Sequence, residues 1–320
     1  MHRAGGHVAS WFMAVALSVG IELAGDGIGE RSPASGIAGL PHRLESAGVH
    51  YWVIGADRAE PPAAPSLDAS VIATVAARHS SHLGLVVAAA PHRDHPYNLA
   101  RRLVSVDHAA RGRVGWFALD ADRRIALGAG ADTWTGAALG PPHTAEAIAA
   151  VRTLWRTWPF ASVLGDRPTG VFADTTRLRR ADVRGAYRIA GPLNVPGSRQ
   201  GDLPVWQHAG AATADADVVV VEDGAPVPDG AVVRVRSVDH AALERVAGTT
   251  GAAGVLLRVP ADALTAVLDD VVAAAYRRGL LATPGAGTLR QRLSLPVPAA
   301  PDLSHHPRAF DDAPNAGARL

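Results

Sequence analysis

The chain has 320 residues, 48% hydrophobic and 19% charged, enough to bury one large core or two ordinary ones and too apolar for an intrinsically disordered protein. Its 31 basic and 30 acidic side chains leave a net charge of +1. That balance excludes a sequence-independent grip on nucleic acid or an anionic membrane and makes small molecules the expected partners. The absence of cysteine excludes disulfides, thiolate metal sites and cysteine nucleophiles, and fits a reducing, cytoplasmic location.

In chain order, residues 11–21 form an apolar run after a weakly basic start. Glu22 follows at once and no small-residue cleavage site precedes Asp26, so the run reads as a buried strand rather than a signal peptide. It is also too short to span a bilayer. Eight short segments have the mostly continuous apolar character of strands buried on both faces: 15–22, 51–56, 82–90, 114–119, 205–208, 218–222, 232–236 and 254–259. Helical patterns fall between them at 40–48, 67–78, 98–110 and 145–158, the last with Ile148, Val151, Leu154 and Trp155 on one face. A final helix is expected over 264–278, stopping at Gly279.

Eight strands alternating with helices predict an α/β fold, a TIM (β/α)8-type barrel with chemistry at the C-terminal ends of the strands. Parallel crossovers usually take a dozen or more residues, and the connections 209–217 and 223–231 have only about nine each, so the barrel is expected to be truncated, with some crossover helices missing. Residues 120–143 make a long strand-to-helix connection, read as a lid or an insertion. The expected organisation is one barrel domain over 1–295 and a disordered tail over 296–320, carrying Pro298, Pro301, Pro307 and Pro314. Ser-Val-Asp-His-Ala-Ala occurs at both 105–110 and 237–242, but the flanks differ and it reads as coincidence.

No Gly-x-Gly-x-x-Gly opens a helix after a strand, and there is no Walker loop or Gly-x-Ser-x-Gly elbow. His92 and His95 stand three apart in a loop with no third ligand identifiable, so no metal is assigned. Both lie just past the third strand, where a barrel places a proton donor or substrate-orienting group, and with Tyr97 they are the catalytic candidates.

The run His95-Pro96-Tyr97-Asn98-Leu99-Ala100-Arg101-Arg102, ending in Ser105-Val106-Asp107-His108 and followed by Gly112-Arg113-Val114-Gly115-Trp116, resembles the signature of the flavin-dependent luciferase-like monooxygenases. The similar branch contains the nitrilotriacetate, EDTA and dibenzothiophene-sulfone monooxygenases. Further matching blocks follow in order: Leu154 to Trp158, Gly191 to Pro196 running through Gln200-Gly201 to Gln207-His208-Ala209-Gly210, and Arg277 to Leu280 with Thr288-Leu289-Arg290. The resemblance implies a barrel that holds reduced FMN supplied by a separate reductase, activates oxygen and oxidises a small organic substrate. A second copy of the chain is a further candidate partner. Arg101 and Arg102 still read as surface or salt-bridging groups, Asp107 and His108 as packing the end of a helix, and Trp155 and Trp158 as core.

Carried onto this chain, the family's flavin contacts fall at Asp57, Ala90, Asp120, Gly210, Ala211 and Thr213. Of these, only Asp57 matches a recognised contact. Phe117-Ala118-Leu119-Asp120 stands where the family has Asn, Thr and Ser, Ala88 to Ala90 replace hydroxyl residues, and Ala211 and Ala212 replace phosphate-binding serines at a helix start. Asp215 and Asp217 add negative charge nearby. Charge-assisted hydrogen bonds contribute roughly 1.5–3 kcal/mol each, so losing two or three costs about 4 kcal/mol and moves a micromolar site to about millimolar. Two expectations follow: an FMN-dependent monooxygenase that holds its flavin weakly, or a degenerate, non-catalytic paralogue that keeps the barrel and binds a ligand or partner without flavin chemistry.

Overall fold

A computed structural model describes residues 16–24, 33–55, 67–120, 130–210, 216–299 and 302–310. The eight apolar runs become eight parallel strands: β1 (Ser18–Leu23), β2 (Tyr51–Ile54), β3 (Gly84–Ala89), β4 (Val114–Ala118), β5 (Val205–His208), β6 (Val218–Glu222), β7 (Ala231–Val235) and β8 (Ala252–Val259). Each pairs with the next in sequence, and β8 pairs with β1 from Ser18 against Gly254 to Leu23 against Val259, closing the barrel. The runs are continuous rather than alternating because both strand faces are buried. Val19, Ile21 and Leu23 pack outward in the large strand–helix core, while Tyr51, Val86, Phe117, Trp206, Val220 and Leu256 belong to a separate inner core.

The inner core holds two large aromatic side chains, Tyr51 and Trp206, with ring centroids 5.6 Å apart. Glycine makes room for them. A Cβ on Gly20 would stand 2.3 Å from Tyr51 Cε2, and one on Gly115 would stand 2.2 Å from Trp206 Cζ3. The Gly115-Trp116 pair thus has a packing reason: Gly115 faces inward and admits Trp206, while Trp116 faces outward against Trp155.

Helices α2 (Ala69–Arg78), α3 (Pro96–Ala109) and α4 (Pro141–Arg156) lie where the apolar periodicity places them, whereas α1 (Pro33–Ser46) begins seven residues before the expected 40–48. The predicted last helix forms over 264–277, with its centre, Val267–Val272, wound as a π-helix. A short helix that periodicity did not show, α5 (His240–Ala247), precedes β8 and is capped by Asp239, whose carboxylate accepts from Ala242 N at 2.7 Å. The residues between β6 and β7 form only turns, and no helix is described between β5 and β6. The β6–β7 crossover therefore runs without a helix, as its length implied, while residues 211–215 of the β5–β6 crossover lie outside the described residues. Between α4 and β5 lie two small antiparallel ribbons, Val163–Asp166 with Val171–Ala173, and Val183–Arg184 with Arg188–Ile189.

The tail departs from expectation. Arg290 donates to Pro296 O at 2.5 Å and Arg156 to Ala299 O at 2.7 Å. Beyond them, Pro307 O accepts from Arg180 N at 2.9 Å and Ala309 N donates to Leu178 O at 3.1 Å. Proline richness pointed to an unpacked extension, but 296–299 and 302–310 exchange hydrogen bonds with Arg290 and with Arg156, Leu178 and Arg180 far away in the chain. No helix among the described residues is long and apolar enough to cross a membrane.

The signature blocks converge below the barrel. Asp107, fully buried, accepts from Val114 N at 3.0 Å, Ser198 Oγ at 2.7 Å and Gln200 Nε2 at 2.9 Å. Gln200 Oε1 accepts from Arg290 N at 3.0 Å, and Arg290 Nη1 reaches Asp217 at 2.7 Å. Three of the matching blocks are therefore tied into one buried network near the starts of β4 and β6, where a barrel keeps residues that stabilise it rather than those that react.

Candidate active site

Strand parity decides which side chains reach the C-terminal mouth. On β1, Glu22 lies two residues beyond inward-facing Gly20. On β7, Arg234 lies two beyond Val232, and on β8, Arg258 lies two beyond Leu256. Charged groups at the ends of apolar strands thus converge over the inner core.

Glu22 is only 1% exposed. Its carboxylate accepts from Arg234 Nε at 2.9 Å and again from Arg234 Nη2, and from Arg258 Nη1 at 2.7 Å. Arg234 continues to Glu222 at 3.0 Å, and Arg236 meets the other Glu222 oxygen at 3.0 Å. Desolvation works against charge on both Arg234 and Glu222. Hydrogen bonds within the network outweigh it, so the guanidinium pKa is raised and the Glu222 pKa is lowered.

His208, at the end of β5, lays its ring 4.8 Å from that of Phe117. Partial desolvation and Arg234 lower its pKa, against the opposing pull of Glu22, Glu222 and Asp120. It therefore stands in the mouth as a neutral imidazole near pH 7. Asp120, two residues beyond β4, keeps a buried carboxylate oxygen, Oδ1, that has no hydrogen-bond partner among the described residues. Ala88, Ala89, Ala90 and Leu119, with Arg93 and Arg102 at the rim, line a cleft of about 200 Å³ at the ends of β3 and β4.

Of the sequence candidates, Ala90 and Asp120 lie at this mouth, and exposed Gly210 follows β5. His92 sits in the 3₁₀ turn Pro91–Arg93 directly after β3, and its side chain is outside the described residues. Asp57, Ala211 and Thr213 also fall outside them. His95 and Tyr97 belong to a neighbouring cluster. His95 caps α3, accepting from Tyr97 N at 3.3 Å, and its ring meets Trp134 and Tyr187 edge-on at 5.7 and 5.8 Å. Tyr97 Oη donates to Pro192 O at 3.3 Å.

Behind His95, Asp132 Oδ2 accepts from Tyr187 Oη at 2.8 Å and contacts His143 Nε2 at 2.8 Å. Desolvation would raise the Asp132 pKa, but bonds from Tyr187, His143 and the Trp134 and Thr135 amides bring it down. Burial lowers the His95 pKa, with Asp132 pulling the other way. The long 120–143 connection is thereby pinned, over its described part, to the start of α3 and to the second ribbon.

Sequence reading missed Glu22, His208, Glu222, Arg234 and Arg258. Their signal was present: isolated charges at the ends of apolar strands, at the parity of the barrel interior.

A parallel eight-stranded barrel with a polar mouth at the C-terminal ends of its strands is the architecture of the luciferase-like barrel oxidoreductases. No family model matches the chain. It is 31% identical over 288 residues to one of the subunits of pristinamycin IIA synthase from Streptomyces pristinaespiralis, covering 86% of this chain and 94% of that protein. It is 34% identical over 147 residues to dibenzothiophene-sulfone monooxygenase of Rhodococcus erythropolis, spanning 44% of this chain and about a third of that protein. Among solved structures, EDTA monooxygenase from Chelativorans sp. BNC1 superposes with a TM-score of 0.66 at 18% identity, over 88% of this chain and 98% of that one. Long-chain alkane monooxygenase does so at 0.65 and 13%, over 87% and 95%. The chain belongs to the luciferase-like flavin-dependent monooxygenases, enzymes that oxidise small organic molecules.

Proposed function

We propose that this protein oxidises a small organic substrate at the C-terminal mouth of the barrel, using reduced FMN delivered by a separate reductase. The observation that carries the reading is the buried Asp120 oxygen without a partner among the described residues, beside a neutral His208. Such an acceptor calls for a donor from a bound molecule, and the ring N–H of a flavin is one. The small side chains of Ala88 and Ala90 and the apolar Leu119 suit the edge of a flat ring, and Arg234 and Arg258 suit its carbonyl oxygens. The donor set therefore fits the ring of the cofactor. Asp57, Gly210, Ala211 and Thr213 remain the proposed contacts for the rest of it.

When bound, reduced flavin supplies the electrons that activate oxygen. The chain's own residues orient and protect. Asp120 accepts a hydrogen bond, the Glu22–Arg234–Arg258 network fixes charge at the mouth, and His208 takes or returns a proton. His92 is a second proton donor beside Ala90. His95, through Trp134, positions the 130–143 segment that borders the site, and Tyr97 holds Pro192. The end-to-end relative is one subunit of a synthase, which supports a protein partner for this chain as well. Family membership favours this reading over a barrel without flavin chemistry.

The test is anaerobic titration with reduced FMN, followed by oxygen consumption with a flavin reductase and NADH. Saturable binding between about 10 µM and 1 mM, weakened about tenfold or more in Asp120→Ala, supports the proposal. No binding at about 10 mM overturns it.

A further inference from the structure

At the end of the barrel opposite the mouth lies a second cavity, of about 460 Å³, within the range of small-molecule sites. Its lining includes Tyr51, Trp206, Val218, Val232, His50 and Arg292, and the segment from Ala282 to Leu295 lies along one side. Ser18, Val218 and Val232 line it, while Gly84 and Gly254 admit close neighbours, a Cβ there standing 2.6 Å from Leu289 Cδ1 and 2.3 Å from Ser18 Oγ.

The polar groups around it do not balance. Tyr51 and Trp206 are 1% and 0% exposed, and the Trp206 indole N–H is directed at the Tyr51 hydroxyl oxygen, whereas the proton of that hydroxyl has no acceptor among the described residues. Arg292 donates through Nη1 to His82 O, but its Nε and Nη2 are buried without partners. Glu45, the nearby carboxylate, is already engaged by the backbone N–H groups of Ser81, His82 and Leu83. Folded proteins rarely leave several donors buried with no acceptor. Here the donors surround one cavity, and one of them is cationic.

We infer that this cavity is a binding site for a small hydrophobic carboxylate. The carboxylate accepts from Arg292 and Tyr51, and a single ring or short chain lies against Trp206, Val218, Val232, Leu293 and Leu295. The site is separate from the mouth, because the inner core from Tyr51 to Phe117 stands between them. It is therefore independent of the proposed flavin reaction.

Calorimetric titration of the full chain with benzoate, and with uncharged benzyl alcohol as control, tests this. One benzoate per chain is expected below about 1 mM, with benzyl alcohol at least tenfold weaker. Arg292→Met is expected to weaken benzoate about tenfold or more and Tyr51→Phe several-fold, with folding checked by circular dichroism. Saturating FMN should leave the affinity unchanged. No heat at about 10 mM benzoate, equal binding of benzyl alcohol, or undiminished binding in both folded variants would overturn the site. So would a benzoate-soaked crystal showing only water on Tyr51 and Arg292.

Discussion

Glu22 and Arg234, 212 residues apart in the chain, form a two-pronged ion pair at the mouth of the barrel, linking β1 to β7 across β8 above the inner core. Glu22 is also the partner of Arg258, so one carboxylate balances two guanidinium groups on neighbouring strands. Removing one member of a buried pair leaves uncompensated charge and typically costs about 3–5 kcal/mol, whereas solvated pairs contribute under about 1 kcal/mol. Glu22→Gln is accordingly expected to lower the free energy of urea unfolding by about 3 kcal/mol. A loss below about 1 kcal/mol would show that water reaches the pair.

His50 predicts how the protein responds to acid. The ring is 3% exposed and its Nδ1 accepts from Val19 N at 3.2 Å, a bond that needs the neutral form. Burial first, and then Arg292, lower its pKa from 6.5 to about 4. The unfolded chain therefore takes up this proton at a higher pH than the folded one. The contribution of His50 to stability is complete above about pH 6.5 and is lost as the pH falls toward 4, amounting to about 3 kcal/mol. His50→Asn keeps an acceptor without a titrating ring, so its stability should fall less steeply over that window. Parallel pH profiles of wild type and variant, obtained by chemical denaturation, check this, and equal slopes would refute the assignment.

Gly115 is fixed by Trp206 rather than by backbone conformation. A methyl group there would meet the indole at 2.2 Å, and Trp206 is itself wedged against Tyr51. Gly115→Ala should therefore destabilise the barrel by about 1–3 kcal/mol or more through overpacking. The paired change Gly115→Ala with Trp206→Phe should recover part of that loss. If the double variant is less stable than the sum of the single effects, relief of a clash is the wrong explanation.

The barrel was legible because its physics is local. Each strand is buried on both faces and so reads as an apolar run, and the β6–β7 crossover without a helix was visible as a connection too short to hold one. Helix α5 escaped notice because its buried face has only Ala242, Leu243 and Val246, too few to establish a period. The site was less legible because its charges pair across the barrel. Glu22, Arg234 and Arg258 each look like the polar end of a strand, and only closure of the sheet brings them together. The tail misled for the same reason: the arginines bonded to 296–299 and 302–310, Arg156, Arg180 and Arg290, are distant in sequence or belong to other elements.

The proposed chemistry makes a pH prediction of its own at His208. Partial desolvation over Phe117 and the positive charge of Arg234 lower its pKa, so the neutral imidazole persists to a lower pH than in a free histidine. A general base in that state gives a profile of kcat/KM against pH with an acid limb below about 6.5, activity falling as the ring takes up its proton. His208→Gln should remove that limb and lower kcat by about a hundredfold, the lower range for loss of a positioned acid or base. Glutamine preserves the polar contact but not the titration, so an effect on packing alone would lower activity and leave the limb in place. An unchanged acid limb in the variant would assign the proton transfer to another group, with His92, just past β3, the next to test.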